Sequence, residues 1–519
     1  MSLQTQLSTG LVLPTFRPAW KRFRELSQGT PEDLALQQEA MLKSYLQENK
    51  ETRFGREHGF ANISGTEQYR EAVPLANPEA YHPYISAIAA GEQNVLTAAA
   101  VKRLEPTSGT AAGSRLIPYT APLAAEFRQA LNTWLYDLYA QYPQLAGGRS
   151  YWSITPVGDR PERSAGGLPI GFDDDLAYFG KLTGRLLSPL FVGDPALARE
   201  TDMEAFFFKT CLALINAGDL RLLSFWNPSL LLRLFDYMQE EGPRLNRALP
   251  LSRRQAFQNA WAFNEPALLW PFLTVISCWT DAAADTEAEK LKRLFPDVHL
   301  QPKGLLATEA FFSIPWEETP GDPVLAASSH YFEFEDPDSG QVTLSHELRT
   351  GSRYRVYATT GGGFYRYTTG DIIEVSGHLG PLPRFRLLGR GDLTSDLHGE
   401  KLTEAFVLAA FAELQEQGSG DLLLLPHPDG THYVLLAEDA GPAEDLASLA
   451  VQTDRLLRRN YHYDYCRRLG QLGSVEALRL AADWQQHYLR KLSEEGSRVG
   501  DVKPPALLKD AGWLEVLRY

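Results

Sequence analysis

Between residues 31 and 59, Leu34, Leu36, Leu42, Tyr45 and Leu46 fall near helical spacing, and Gly55 and Gly59 mark the end of the predicted helix. Residues 95–104 change to a strand-like pattern that runs straight into a loop of hydroxyls and glycines. Beyond it, Leu123, Phe127, Ala130, Leu131, Trp134, Leu135 and Leu138 form one apolar stripe at the helical period, the signature of a helix with a buried face. Residues 202–294 continue in helical patterning. That patterning breaks at Trp226-Asn227-Pro228, where Asn227 is placed to cap a helix beginning at the proline.

After His299 the texture turns to short alternating segments, residues 331–334, 354–357, 364–367 and 372–375. They read as hairpin strands, with Gly361-Gly362-Gly363 as a tight turn between two of them. A last change follows Gly389-Arg390-Gly391-Asp392: residues 402–415 and 446–459 read as helices, and 422–425 and 433–437 as strands. The expectation is an α/β (mixed α+β) protein with a large N-terminal domain, residues 1–389, and a small α+β domain, residues 390–519.

Composition narrows the function. The chain has 519 residues, 44% apolar and 22% charged, as expected of a globular protein with several packing units. It has no apolar run of about 18 residues that would cross a bilayer, and residues 1–16 lack the features of a secretory signal. A cytoplasmic protein with no membrane partner is expected. The net charge of -15 argues against nucleic acid as the main partner, since binding a phosphate backbone needs a broad basic face. Any anionic ligand must meet local positive charge. Cys211, Cys278 and Cys466 are odd in number and far apart, which excludes a disulfide framework or a paired-cysteine zinc site and leaves buried thiols.

Four short motifs carry candidate chemistry. Thr107-Ser108-Gly109-Thr110 opens a loop whose backbone N–H groups and hydroxyls can converge on phosphate oxygens, although a plain polar turn has the same composition. It is not a Walker loop. Thr308-Glu309 offers a carboxylate suited to Mg²⁺, which takes oxygen ligands and shares them with substrate phosphates. Thr369-Gly370-Asp371 puts an acid at the start of a strand, where it serves either ribose hydroxyls or a simple turn. Gly389-Arg390-Gly391-Asp392, followed by His398-Gly399-Glu400-Lys401, joins an arginine, a flexible joint and a lysine at the predicted domain boundary. His398 is the one histidine placed near a site, with an exposed loop as its alternative. No H-E-x-x-H or G-x-S-x-G pattern occurs.

Taken in order, these motifs resemble the successive signatures of the adenylate-forming superfamily of acyl-CoA synthetases, adenylation domains and firefly luciferase. Tyr331-Phe332-Glu333-Phe334, Phe364-Tyr365-Arg366-Tyr367, Lys401 with Glu404, and Val502-Lys503-Pro504-Pro505 resemble more closely the Gretchen Hagen family of acyl-acid amido synthetases. In plants that family joins amino acids to auxin and jasmonate. The resemblance implies a large domain of β-barrel and α/β subdomains with a small mobile C-terminal domain hinged at Asp392. It implies that Thr107, Ser108, Gly109, Thr110 and Thr308 contact ATP, that Glu309 binds Mg²⁺, and that Asp371 and Arg390 hold the ribose. Lys503 would be the catalytic lysine and Lys401 a second basic residue beside it. Leu123, Phe127, Leu131 and Trp152 are candidate walls for the acid, with core packing as the alternative for each.

The implied function is ATP-dependent conversion of a small carboxylic acid to its acyl-adenylate, followed by transfer to an amino acid or other amine, in a monomer or weak homo-oligomer. A coenzyme A ligase and a non-catalytic acid-binding protein are the alternatives. The chain departs from the family pattern at Leu305, where tyrosine is usual, at Ala307-Thr308, where two serines are usual, at Thr368 and at Pro505.

Overall fold

The computed structural model describes residues 3–106, 116–153, 163–171, 190–194, 197, 200, 202–281, 284–390, 394–395, 397–398, 400, 402–415, 420–438, 443–468, 471–494 and 504–518. Contacts divide the chain into two compact units, one of Met1–Thr369 with Ile373–Leu387 and the other of Gly370–Ile372 with Leu388–Glu495 and Val502–Tyr519.

The first unit contains a fully parallel sheet. Phe191–Val192, Arg149–Trp152, Leu220–Ser224, Val275–Cys278 and His299–Pro302 lie side by side in that order. Two of these strands fall inside the stretch that patterning assigns to helix. Strands buried on both faces are short apolar runs without alternation, so periodicity does not separate them from buried helix. Leu222 and Val275 join one core cluster, while Leu223 and Ile276 join another with the helices Met203–Asn216 and Pro228–Glu240. Asn227 caps the second of these helices as expected, its Oδ1 accepting from the Ser229 N–H at 2.9 Å.

The second sheet has the order Val342–Leu344, Tyr331–Glu335, Arg353–Thr359, Asp371–Leu379, Leu382–Arg390, Val324–Leu325 and Ser313–Ile314. This is the expected α/β class, although the strand order does not itself establish a barrel. The helix Ala121–Gln141 presents its whole predicted stripe, Leu123 to Leu138, to a core shared with both sheets.

Three local expectations are corrected. The predicted helix over 31–59 is two helices, Pro31–Asn49 and Arg53–Glu57, because the Thr52 hydroxyl caps a new start by accepting from the Gly55 N–H at 2.9 Å. Within 95–104 only the end is strand, Arg103–Pro106, since the Asn94 and Val95 carbonyls are taken by the N–H groups of Arg53 and Phe54. Residues 364–367 are not a strand. Arg366 has φ +50, a left-handed conformation that ends extended backbone, and only Tyr367 exchanges bonds with Ala358, at 2.8 and 3.0 Å.

The reason Arg366 tolerates that conformation is visible in its bonds. Its Nε donates to Glu333 Oε2 at 2.9 Å, and its Nη1 to the carbonyls of Val73 and Arg70 at 2.7 and 3.1 Å. Arg70 Nε donates to the other Glu333 oxygen at 2.9 Å. Glu333 is 1% exposed, so a carboxylate here depends on both guanidinium groups.

In the second unit, Leu422–Pro426, Tyr433–Ala437 and Glu476–Arg479 form a sheet, the first pair antiparallel and the second parallel. Leu422, Leu424, Tyr433 and Leu435 pack with Val407, Phe411 and Leu414 on one face, and Leu423, Leu425, Val434 and Leu436 with Trp484, Tyr488 and Leu492 on the other. Two covered faces explain why these strands read as continuous leucine and valine. All three cysteines are buried thiols, as expected.

Replacing Glu333 with alanine is expected to lower the unfolding free energy by about 3–5 kcal/mol, because it strands buried cations. Glu39→Ala, which removes an exposed pair with Lys43 at 2.9 Å, is expected to change it by less than about 1 kcal/mol. Urea titrations of the whole chain compare the two, and equal small effects would show that the buried cluster does not hold the fold.

Candidate functional site

Glu309 is carried on a tight hairpin. The chain leaves the parallel sheet at Pro302, turns at Gly304 with φ +80, and returns through Phe311 to Ser313. A side chain at Gly304 would sit 2.6 Å from the Ser313 hydroxyl, so glycine is required both by conformation and by space. Ser313 Oγ accepts from the Leu305 N–H at 2.9 Å, and Ala307 donates to the Ala310 carbonyl at 3.1 Å, leaving Thr308 and Glu309 at the tip.

The tip is anchored by a histidine. The Phe311 N–H donates to His330 Nε2 at 3.0 Å, which fixes the proton on Nδ1, and Nδ1 donates to Glu126 Oε2 at 2.9 Å. Glu126 also accepts from the Tyr45 hydroxyl and the Gly361 N–H, both at 2.9 Å. Thus the helix Ala121–Gln141, the glycine turn and the Glu309 hairpin are tied at one carboxylate. Patterning picks out Tyr45 and the Gly361 turn but not His330 or Glu126, and links none of them, because they are distant in sequence.

Glu309 itself is 7% exposed, and its Oε1 accepts from the Tyr367 hydroxyl at 3.1 Å. Two motifs chosen separately from the sequence therefore meet in one hydrogen bond. Asp371, 5% exposed, opens the strand Asp371–Leu379 directly after Gly370 with φ +88. Thr308 is partly exposed beside Glu309. Arg390 ends the strand Leu382–Arg390. Thr107, Ser108, Gly109, Thr110, Asp392, Lys401 and Lys503 lie outside the described residues.

Of the candidate acyl walls, Leu123 and Leu131 are buried in the core, and Phe127 packs its edge against Phe311 and His330 with ring centroids 6.2 and 5.8 Å away. Trp152 has a different setting. It ends a parallel strand beside a lysine that sequence reading passed over, Lys303, which follows another strand of the same sheet. The Lys303 ammonium donates to Ser224 Oγ at 2.7 Å and lies 4.5, 5.6 and 5.9 Å from the rings of Trp226, Trp134 and Trp152. Indole faces attract a cation, so the three rings favour the ammonium where it lies. Trp152, Ser224, Cys278 and Lys303 all stand at the carboxyl ends of parallel strands, the edge where open α/β sheets bind ligands. A basic residue just after an apolar strand and before the Glu309 hairpin was the available signal. Burial pushes the neighbouring Cys278 thiol up to about 12 in spite of Lys303, so it is no nucleophile at neutral pH.

His398 is exposed, with its Nε2 3.0 Å from the Gly430 carbonyl, in the second unit.

Two family models match this chain, the GH3 family N-terminal domain over residues 24–252 and the GH3 family central domain over residues 323–390. The chain is 24% identical to a rice protein (Oryza sativa subsp. japonica) named as a probable indole-3-acetic acid-amido synthetase, GH3.12, over 94% of both chains. It is 21% identical to the jasmonoyl–L-amino acid synthetase JAR4 of Nicotiana attenuata, over 79% of both. Its fold matches the solved AtGH3.15 acyl acid amido synthetase in complex with 2,4-DB, with a TM-score of 0.81 at 17% identity over 96% of this chain and 95% of the other. The two family models together cover more than half of the sequence, and this chain belongs to the GH3 family.

Proposed function

We propose that this protein is an ATP-dependent acyl-acid amido synthetase, which adenylates a small carboxylic acid with release of pyrophosphate and transfers the acyl group to an amino acid or other amine. The Tyr367 hydrogen bond to Glu309 carries this reading, because it pre-sets a buried carboxylate on a rigid hairpin. Family membership and the names of the relatives, which act on acids and amino acids, support the same reading.

A carboxylate is a poor electrophile, and joining it to AMP supplies a good leaving group. The protein then acts by positioning and charge stabilisation, with no covalent enzyme intermediate. Glu309 fits Mg²⁺ as a donor: it is an oxygen ligand, nearly buried, with one oxygen already oriented by Tyr367. When bound, Mg²⁺ would offset charge on the phosphates. The loop Thr107 to Thr110 would hold those phosphates, Asp371 and Arg390 the ribose, and Lys401 and Lys503 would supply positive charge during adenylation. The domain division at residue 389 and the joint at Asp392 belong to the same proposal.

Lys303 and its tryptophans are the better candidate for the acid's subsite than Leu123 or Leu131, because a cation beside indole faces at the carboxyl edge suits an aromatic acid with an oxygen acceptor. Transfer to coenzyme A is the competing outcome.

Incubation with Mg-ATP and aryl, indolyl and aliphatic acids, each with amino acids or with coenzyme A, is expected to give amides by mass spectrometry only when an amino acid is present. Thioesters in place of amides would move the protein to the ligases. Lys303→Met is expected to raise KM for the acid by about 10- to 100-fold, the worth of a charge-assisted hydrogen bond, with KM for ATP nearly unchanged. Equal effects on both substrates would remove Lys303 from the acid subsite.

A further inference from the structure

A separate cluster in the second unit has the geometry of a metal site. His427 follows the strand Leu422–Pro426 and His432 precedes the strand Tyr433–Ala437, so the hairpin places them opposite each other, with the His427 N–H bonded to the His432 carbonyl at 2.8 Å. Their rings stack with centroids 4.4 Å apart. Glu476 lies on the third strand, paired with Val434 in parallel register. Its carboxylate therefore comes to the same end of the sheet. One donor atom from each of His427, His432 and Glu476 lies within 4.8 Å of the others. A tetrahedral ion with bonds of about 2.0–2.1 Å separates its donors by about 3.3 Å, which small side-chain rotations reach.

The hydrogen bonds around the cluster fix which nitrogens face outward. His427 Nδ1 is 2.8 Å from Asp429 Oδ1 and 3.3 Å from the Asp429 N–H, so Asp429 holds the ring by its Nδ1 side and leaves Nε2 on the far side. Asp429 is itself held in place by the Thr431 N–H, which donates to its Oδ1 at 2.9 Å. The Thr431 hydroxyl gives its own proton to Asp429 at 2.7 Å, so it accepts from His432 Nδ1 at 2.8 Å. That leaves the His432 Nε2 lone pair 3.3 Å from the Glu476 carboxylate. A divalent ion placed there would be bound by both the imidazole nitrogen and the carboxylate. Carboxylate-oriented histidines with Nε2 turned outward are also the usual outer arrangement of zinc and related sites.

We infer that His427, His432 and Glu476 bind one divalent transition ion of the zinc type, with water completing its shell and Asp429 as the positioning residue. The imidazoles favour such an ion over Mg²⁺, which prefers oxygen ligands alone. The three side chains are 30%, 18% and 48% exposed, open enough for an ion and its waters to enter. His398, whose Nε2 faces the Gly430 carbonyl, is not one of the ligands. The site lies wholly in the second unit and does not depend on the amido synthetase reading.

The test is calorimetric titration of tag-free, full-length protein with Zn²⁺ in buffer containing excess Mg²⁺. One Zn²⁺ per chain is expected, with affinity reduced by at least about 100-fold in H427A/H432A and by about 10- to 100-fold in D429N, the usual effect of removing an outer-shell partner. His487→Ala, on the helix Trp484–Glu494, is expected to leave binding unchanged. Glu476→Gln, a surface change that spares the hairpin, keeps the test valid if the double variant does not fold, and its affinity is expected to fall. No Zn²⁺ binding by the wild type, or binding that survives both H427A/H432A and E476Q, would overturn the inference.

Discussion

The first unit is built around one buried carboxylate held between two guanidinium groups. Glu333 is held between Arg366 and Arg70, each at 2.9 Å, and both guanidinium groups are themselves fixed by backbone or neighbouring acids. Removing either cation would leave a charge in a medium that solvates it poorly. The pair also settles backbone geometry. Arg366 stays in a left-handed conformation because its N–H, its carbonyl and its side chain are all bonded, to Thr359, to the Ala76 N–H and to Glu333. That turn directs Tyr367 to Glu309. The site is therefore positioned by a charge cluster that does no chemistry itself.

How much of this was legible in the sequence depended on the range of the interaction. Local devices read well: the Asn227 cap, the stripe on the helix Ala121–Gln141 and the two strands over 422–425 and 433–437 follow from short-range rules of capping and periodicity. The motifs carrying Glu309 and Asp371 were found because their order along the chain resembles a family. What escaped was non-local. The parallel strands Leu220–Ser224 and Val275–Cys278 have no alternation to betray them, and residues 364–367 alternate as a strand does although Arg366 is left-handed. His330 and Glu126 gave no signal at all, since a bond across 204 positions has no sequence pattern.

Lys303 shows the same limit from another side. A lone lysine after an apolar strand is ordinarily a solvated end, and only the fold surrounds it with Trp134, Trp152 and Trp226. The parallel sheet gathers these residues at one edge because every strand runs the same way. The hairpin that starts at Lys303 then carries Glu309. On the proposed reading, recognition of the acid by Lys303 and handling of the nucleotide at Glu309 would fall on consecutive turns of a single segment, which would couple a correct acid to a correctly held phosphate.

The most direct measurement is exchange of labelled pyrophosphate into ATP with an acid present and no amine added. Exchange that requires the acid, and that is lost in Glu309→Ala while the variant stays folded, is expected if Glu309 serves adenylation of a carboxylate. Exchange that proceeds without an acid, or at the wild-type rate in Glu309→Ala, would contradict that role.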